Sequence, residues 1–301
     1  MKNILFRADS SSSIGTGHIM RDLVLANQYK QNNTKIYFAT QKLKGNINKA
    51  IEKHNFMVKH LENNYISTLI SLIKELKIDL LVIDHYDIKY SDEKKIKDST
   101  GVKILVMDDT YEKHYCDILL NHNISANSKK YINLVPKTCT IRCGSKYTLL
   151  RDEFYKEKKR KKYYQENIVK TIFIAMGGAD STNVNIKILK VINKLKKYKV
   201  HIVTTTANQH IEKLKRYCKN KKNIFLHINS NTIAQLMAKS DIAIVTPSVV
   251  LNEVYFMKLP FIAIKTASNQ DDIYKFLKTK RHLTMVKFDK NKLQKYIKEL
   301  T

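Results

Sequence analysis

A histidine stands where a polar loop gives way to a helical pattern, in the run Ala8-Asp9-Ser10-Ser11-Ser12-Ser13-Ile14-Gly15-Thr16-Gly17-His18. A short apolar strand leads into the loop. Gly15 and Gly17 suit a positive φ or a close backbone approach. A glycine-containing loop at a helix N-terminus points free N–H groups at an anion. The same positive end of the helix disfavours an imidazolium, leaving His18 in the neutral form that a general base needs. Spacing alone leaves two readings open, a catalytic base and a histidine that caps or packs the loop. The run lacks the third glycine of a dinucleotide fingerprint and the Lys-Ser/Thr of a P-loop, which excludes both.

Further polar groups fall at the ends of apolar runs. Leu81-Val82-Ile83 is followed by Asp84-His85-Tyr86-Asp87. Asp84 suits a hydrogen bond to a loop, and His85 or Tyr86 suits contact with a substrate. A metal reading of Asp84-His85 lacks a third ligand. Asp108-Asp109 is a similar pair, open to function or to loop capping. In the second half, Met176-Gly177-Gly178-Ala179-Asp180-Ser181 mirrors the first loop. Gly177 and Gly178 let the backbone approach a diphosphate, with Asp180 or Ser181 capping the next helix; a tight strand–helix turn is the alternative. Thr246 or Ser248 suits a cap, with Pro247 at a first helical position. Glu253 lies in an otherwise apolar stretch and needs a partner, either a pair of ribose hydroxyls or a buried salt bridge. Lys265 to Gln270 forms another polar loop.

The elements that must hold these groups alternate. Strands are predicted at 3–7, 35–40, 56–60, 80–84, 103–108 and 117–121, with helices at 20–29, 66–76 and 91–97. After a charged cluster the alternation restarts. Strands are predicted at 171–176, 199–204, 223–227, 242–245 and 261–265, and helices at 183–196, 210–219, 232–238, 250–257, 272–278 and 291–300. Short runs rich in Ile, Leu, Val and Phe suit parallel strands buried on both faces. The expected architecture is α/β, two doubly wound Rossmann-like domains facing across a cleft at the carboxyl ends of the strands. The domains are expected at 1–155 and 169–301, with a charged linker at 156–168 that also reads as an exposed helix end.

The chain has 301 residues, 43% of them hydrophobic, so a substantial core is possible and wholesale disorder is not. Its 55 basic and 27 acidic residues give a net charge of +28, with a pI near 9.8. The lysines are spread along the chain, and no helix-turn-helix, zinc-finger or RNP pattern interrupts them, which argues against specific nucleic-acid binding. A positive field suits an anionic small substrate equally well. Cys116, Cys139, Cys143 and Cys218 lack zinc spacing and read as isolated thiols. No apolar run approaches the ~18 residues of a membrane span. The start reads as a strand rather than a signal peptide, and a cytoplasmic protein is expected.

Taken together, Gly15-Thr16-Gly17-His18, Ile83-Asp84-His85-Tyr86, Arg142-Cys143-Gly144 with Leu150-Arg151 and Glu153-Phe154, Met176-Gly177-Gly178, Ser248 with Asn252-Glu253, and Lys265 with Asn269-Gln270 carry a resemblance over nearly the full length. The chain resembles the bacterial UDP-sugar hydrolases of pseudaminic acid biosynthesis, which act on UDP-2,4-diacetamido-2,4,6-trideoxy-β-L-altropyranose. Ala179 stands where Thr is common in that family, and Thr266-Ala267-Ser268 lengthens one loop. The resemblance implies the two-domain GT-B fold, shared with the transferase that adds N-acetylglucosamine to lipid I. It implies water attack at the anomeric carbon with inversion, releasing UDP, with no metal and no cofactor. On this resemblance His18 is the base. Gly15, Gly17, Tyr86 and Asn269 contact the sugar, and Gly177, Gly178, Ser248 and Glu253 hold the nucleotide. A monomer without membrane insertion is expected. A GT-B glycosyltransferase using a UDP-amino sugar is the alternative, and a nucleic-acid-binding protein a more distant one.

Overall fold

The computed structural model describes residues 2–160, 170–180, 182–195 and 197–301. Its contacts divide the chain into two units, Met1–Leu149 and Leu150–Thr301. In the first, β1 (Lys2–Ala8), α1 (Gly17–Tyr29), β2 (Thr34–Gln41), α2 (Asn48–Lys53), β3 (Met57–Leu61), α3 (Ile66–Glu75), β4 (Leu80–Asp84), α4 (Tyr90–Thr100) and β5 (Lys103–Met107) alternate, followed by β6 (Ile118–Asn121) and β7 (Thr140–Cys143). The strands form a parallel sheet in the order β3-β2-β1-β4-β5-β6-β7. Alternate side chains feed opposite faces. Ile4 and Phe6 enter the core beneath α1 and α2, and Leu5 enters the core beneath α3 and α4. The rings of Phe6 and Phe38 stack 4.8 Å apart, so truncating either to Ala costs about 3–5 kcal/mol.

The second unit contains α5 (Asp152–Arg160), β8 (Thr171–Ala175), α6 (Val184–Leu195), β9 (Lys199–Thr204), α7 (Ile211–Cys218), β10 (Ile224–Ile228), α8 (Ile233–Ala238), β11 (Ile242–Val245), α9 (Val249–Phe256), β12 (Phe261–Ile264), α10 (Asp271–Thr279), β13 (Leu283–Met285) and α11 (Lys290–Leu300). Its parallel sheet runs β10-β9-β8-β11-β12-β13. In each sheet the strand order reverses beside the first strand, between β1 and β4 and between β8 and β11. Loops leaving the two strands at such a switch point diverge and open a crevice at their carboxyl ends. The α/β, doubly wound Rossmann-like architecture agrees with the sequence.

Three details differ from the expectations. The charged stretch at 156–168 is helical over its first five residues, as the end of α5. Phe154 is fully buried, the ring of Tyr155 meets Phe256 at 4.9 Å, and Lys158 Nζ lies 3.9 Å from the Phe256 ring centroid. These contacts tie residues 150–160 to the second unit; residues 161–168 lie outside the described residues. Second, β7 and β13 are too short to show a period. Third, Cys116 and Cys139 are neighbours, with free thiols 3.7 Å apart. No helix among the described residues is long and apolar enough to cross a membrane.

Candidate active site

The first unit's switch point brings the β1–α1 loop beside the end of β4. Ser11 and Gly15 pair across the loop, with Gly15 N donating to Ser11 O at 2.8 Å. Gly15 has φ +86°, which a side chain would strain. Gly17 opens α1 with an ordinary φ, and a Cβ there would meet nothing. Thr16 offers α1 no side-chain cap. His18, 9% exposed, points Nδ1 at Asp84 Oδ1, 2.7 Å away. One turn along α1, Arg21 donates through Nε to Asp84 Oδ2 at 2.6 Å and through Nη1 to Asp109 Oδ2 at 3.1 Å. Its Nη2 donates to Asp84 Oδ1. Burial alone would raise the Asp84 carboxyl, but the Arg21 charge and the bonds from Arg21 and His18 hold it well below the usual range.

An ionised Asp84 requires the proton on Nδ1 of His18, which leaves Nε2 with the lone pair. Among the described residues no hydrogen bond reaches Nε2. Tyr86, 49% exposed, sets its ring edge-on to His18 at 4.9 Å and donates its hydroxyl to Asp109 Oδ1 at 2.9 Å. Burial and the Asp109 charge push that phenol well above its ordinary pKa, so it stays protonated.

The neighbouring polar groups divide between structure and site. His85 does not join His18: its Nε2 lies 3.1 Å from Asp9 Oδ2, and Asp9 is also held by buried Arg7 at 2.7 Å and by Gln41 N at 2.7 Å. Asp108 caps its own loop, accepting from Thr110 N at 3.0 Å and Tyr111 N at 2.8 Å, while Asp109 enters the His18 cluster. Among the described residues no group of three or more His, Cys, Asp or Glu is placed to hold a metal ion.

In the second unit, Gly177 has φ +82°, and a Cβ on Gly178 would come 2.9 Å from Thr205 Oγ1. Asp180 caps α6, its oxygens accepting from Val184 N at 2.8 Å and Asn185 N at 3.2 Å; Ser181 lies outside the described residues. Those amides are therefore already taken by a carboxylate. The start of α9 differs. Pro247 precedes the helix instead of occupying its first position, and Ser248 sits at the cap without a side-chain bond to the first amides. Glu253 lies beside Arg151, whose Nη2 is 3.4 Å from Oε1. Burial pushes its carboxyl up to about 7 against the pull of Arg151. Gln270 ties the next loop to Thr246 at 3.0 Å. Asn269 lies in the turn Ser268–Gln270, and its side chain is outside the described residues.

Arg21, Asp22 and His122 escaped the sequence reading, and Arg151 was named there without its pairing to Glu253. For Arg21 and Asp22 a signal existed, since positions three and four after His18 share its helix face. His122 follows β6 and is 2% exposed, with burial lowering its pKa to about 4; nothing local marks it.

No family model matches the chain. It is 42% identical over 287 residues to the UDP-2,4-diacetamido-2,4,6-trideoxy-β-L-altropyranose hydrolase of Campylobacter jejuni subsp. jejuni serotype O:2, covering 95% of this chain and 99% of the relative. Among solved structures, MurG of Acinetobacter baumannii superposes with a TM-score of 0.67 at 12% identity, covering 100% of this chain and 91% of that one. The UDP-GlcNAc 2-epimerase of Neisseria meningitidis, solved with UDP-GlcNAc, gives 0.62 at 12% identity, with 100% and 91% covered. At such identities these likenesses concern the fold, which is GT-B.

Proposed function

The chain belongs to the UDP-2,4-diacetamido-2,4,6-trideoxy-β-L-altropyranose hydrolase family, and from that premise we propose that it hydrolyses this UDP-sugar, releasing UDP and the free diacetamido sugar for pseudaminic acid assembly. His18 Nε2 takes a proton from water as the oxygen attacks the anomeric carbon from the face opposite UDP. The bond between that carbon and the phosphate oxygen breaks, its electron pair leaves with UDP, and the configuration inverts. The single observation that carries this is the 2.7 Å bond from His18 Nδ1 to Asp84, which fixes the tautomer and leaves Nε2 to act as base. With Asp22 protonated, as argued below, Arg21, Asp84 and Asp109 leave the cluster one net negative charge. The imidazolium formed in the step neutralises it.

Tyr86, Gly15, Gly17 and Asn269 contact the sugar in this reading, the open space before Gly17 letting it approach the backbone. Glu253 accepts the ribose hydroxyls. Ser248 and the uncapped amides of α9 receive the diphosphate, stabilising the charge that UDP develops, and Gly177 and Gly178 line the same nucleotide site. UDP is a good leaving group, so the proposed steps use no metal and no cofactor.

Incubation with the UDP-sugar in oxygen-18 water tests the reading. The expected result is UDP release without an acceptor, with the label on the anomeric carbon of the sugar. Label in the UDP phosphate would relocate the bond cleaved. Release only when a sugar or lipid acceptor is added would make the protein a transferase.

A further inference from the structure

Asp22 follows Arg21 on α1, on the helix face that carries His18. It is 0% exposed, and among the described residues no hydrogen-bond donor reaches either of its carboxyl oxygens. Its carboxyl is close enough to that of Asp84 for the two to interact directly. Two buried carboxyls in contact cannot both be ionised. Asp84 receives three N–H bonds from Arg21 and His18; Asp22 receives none. The charge therefore belongs on Asp84 and the proton on Asp22.

We propose that Asp22 is a positioning residue held as a carboxylic acid, whose O–H donates to Asp84 and thereby tempers how strongly Asp84 favours protonated His18. The inference rests on the reading of His18 as the base. Burial first, and then the Asp84 charge, push the Asp22 carboxyl well above its ordinary pKa. The groups facing this cluster are Arg21 and His18 on α1, Asp84 at the end of β4, Tyr86 just beyond it, Asp109 after β5 and His122 after β6. His122, with its pKa lowered to about 4, is neutral at pH 7. The Arg21 charge would favour ionisation of Asp22, but its guanidinium is already committed to Asp84 and Asp109.

The test compares the pH profile of kcat/KM for wild type, Asp22→Asn and Asp22→Leu. Asn is neutral and keeps an N–H donor for Asp84, so the acid limb stays within about 0.2 pH units of wild type. Leu removes the donor. The undiluted Asp84 charge then favours imidazolium, and the acid limb rises by about 0.5–1 pH unit, with kcat at neutral pH falling several-fold. A downward shift in Asp22→Asn would show that wild-type Asp22 carries a charge, and an unmoved limb in Asp22→Leu would show that it gives Asp84 no bond; either result overturns the proposal. Carbon-13 NMR of labelled aspartate in substrate-free protein gives an independent readout. One carboxyl resonance is expected at the protonated position at pH 7 and absent in Asp22→Asn. Its absence from wild type defeats the proposal even if the enzyme is active, and its presence supports it even if the UDP-sugar is not the substrate.

Discussion

The two switch points of this protein are built alike and finished differently. Around His18, the two carboxylates Asp84 and Asp109 already have their donors: Arg21 spans both, and Tyr86 closes on Asp109 at 2.9 Å. Around Glu253, satisfaction is incomplete. Arg151 reaches it at 3.4 Å while sitting 2.9 Å from Glu153, and burial leaves the Glu253 carboxyl near 7. A corner whose dipoles are set before the ligand arrives pays no reorganisation during reaction, as catalysis requires. A corner with an under-satisfied carboxylate and uncapped amides gains most when hydroxyls and phosphates complete it. On the proposed function, the difference separates a place for chemistry from a place for binding.

The largest expected effect falls on the first corner. His18→Asn should lower turnover by about 10²–10⁴-fold while UDP affinity, read by calorimetry, changes less than about threefold. A parallel loss of affinity would collapse the distinction between the corners. A smaller effect concerns the support beneath Asp108. His114 Nδ1 lies 2.7 Å from Glu93, and Nε2 lies 3.7 Å from Asp108. Burial would lower its pKa, but these carboxylates raise it to about 9. A folded-state pKa above the unfolded value gives stability that is complete below about 6.5 and lost as pH rises through 9. Chemical unfolding should show up to about 3 kcal/mol lost over that window, and His114→Gln should flatten it. The smallest effect sharpens the second corner. Glu253→Ala should weaken UDP by about tenfold with kcat nearly unchanged. In wild type, UDP affinity should rise as pH passes upward through about 7, because the carboxylate accepts two hydroxyls and the acid only one; Glu253→Gln should remove the slope. An affinity indifferent to both changes would make Glu253 a structural partner of Arg151.

Much of the frame was legible because buried parallel strands are written as unbroken apolar runs. Residues 80–84 and 242–245 appear in the sequence with the bounds they have in the sheet. β13 spans three residues and its pattern carries no period. α5 was hidden because its charges mask its one buried apolar side chain, Phe154. In the site, the strand-end position of Asp84 was readable, whereas the commitment of His85 to Asp9 was not, since it depends on side-chain direction beyond the last pleat. The pair Asp108-Asp109 is identical in type, and only folding assigned one to its own loop and the other to Arg21.

By itself, then, the sequence determined the alternation of strands and helices, the glycine turns, and which polar residues end each strand. Those follow from local sterics and from hydrophobic period, which act over a few residues. The tertiary structure decided the pairings between β1, β4 and β5 that bring His18, Arg21, Asp84 and Asp109 together from positions up to 91 residues apart. It also decided the protonation states that follow. Those depend on burial and on the distance between charges, and neither exists until the sheet has set its strand order.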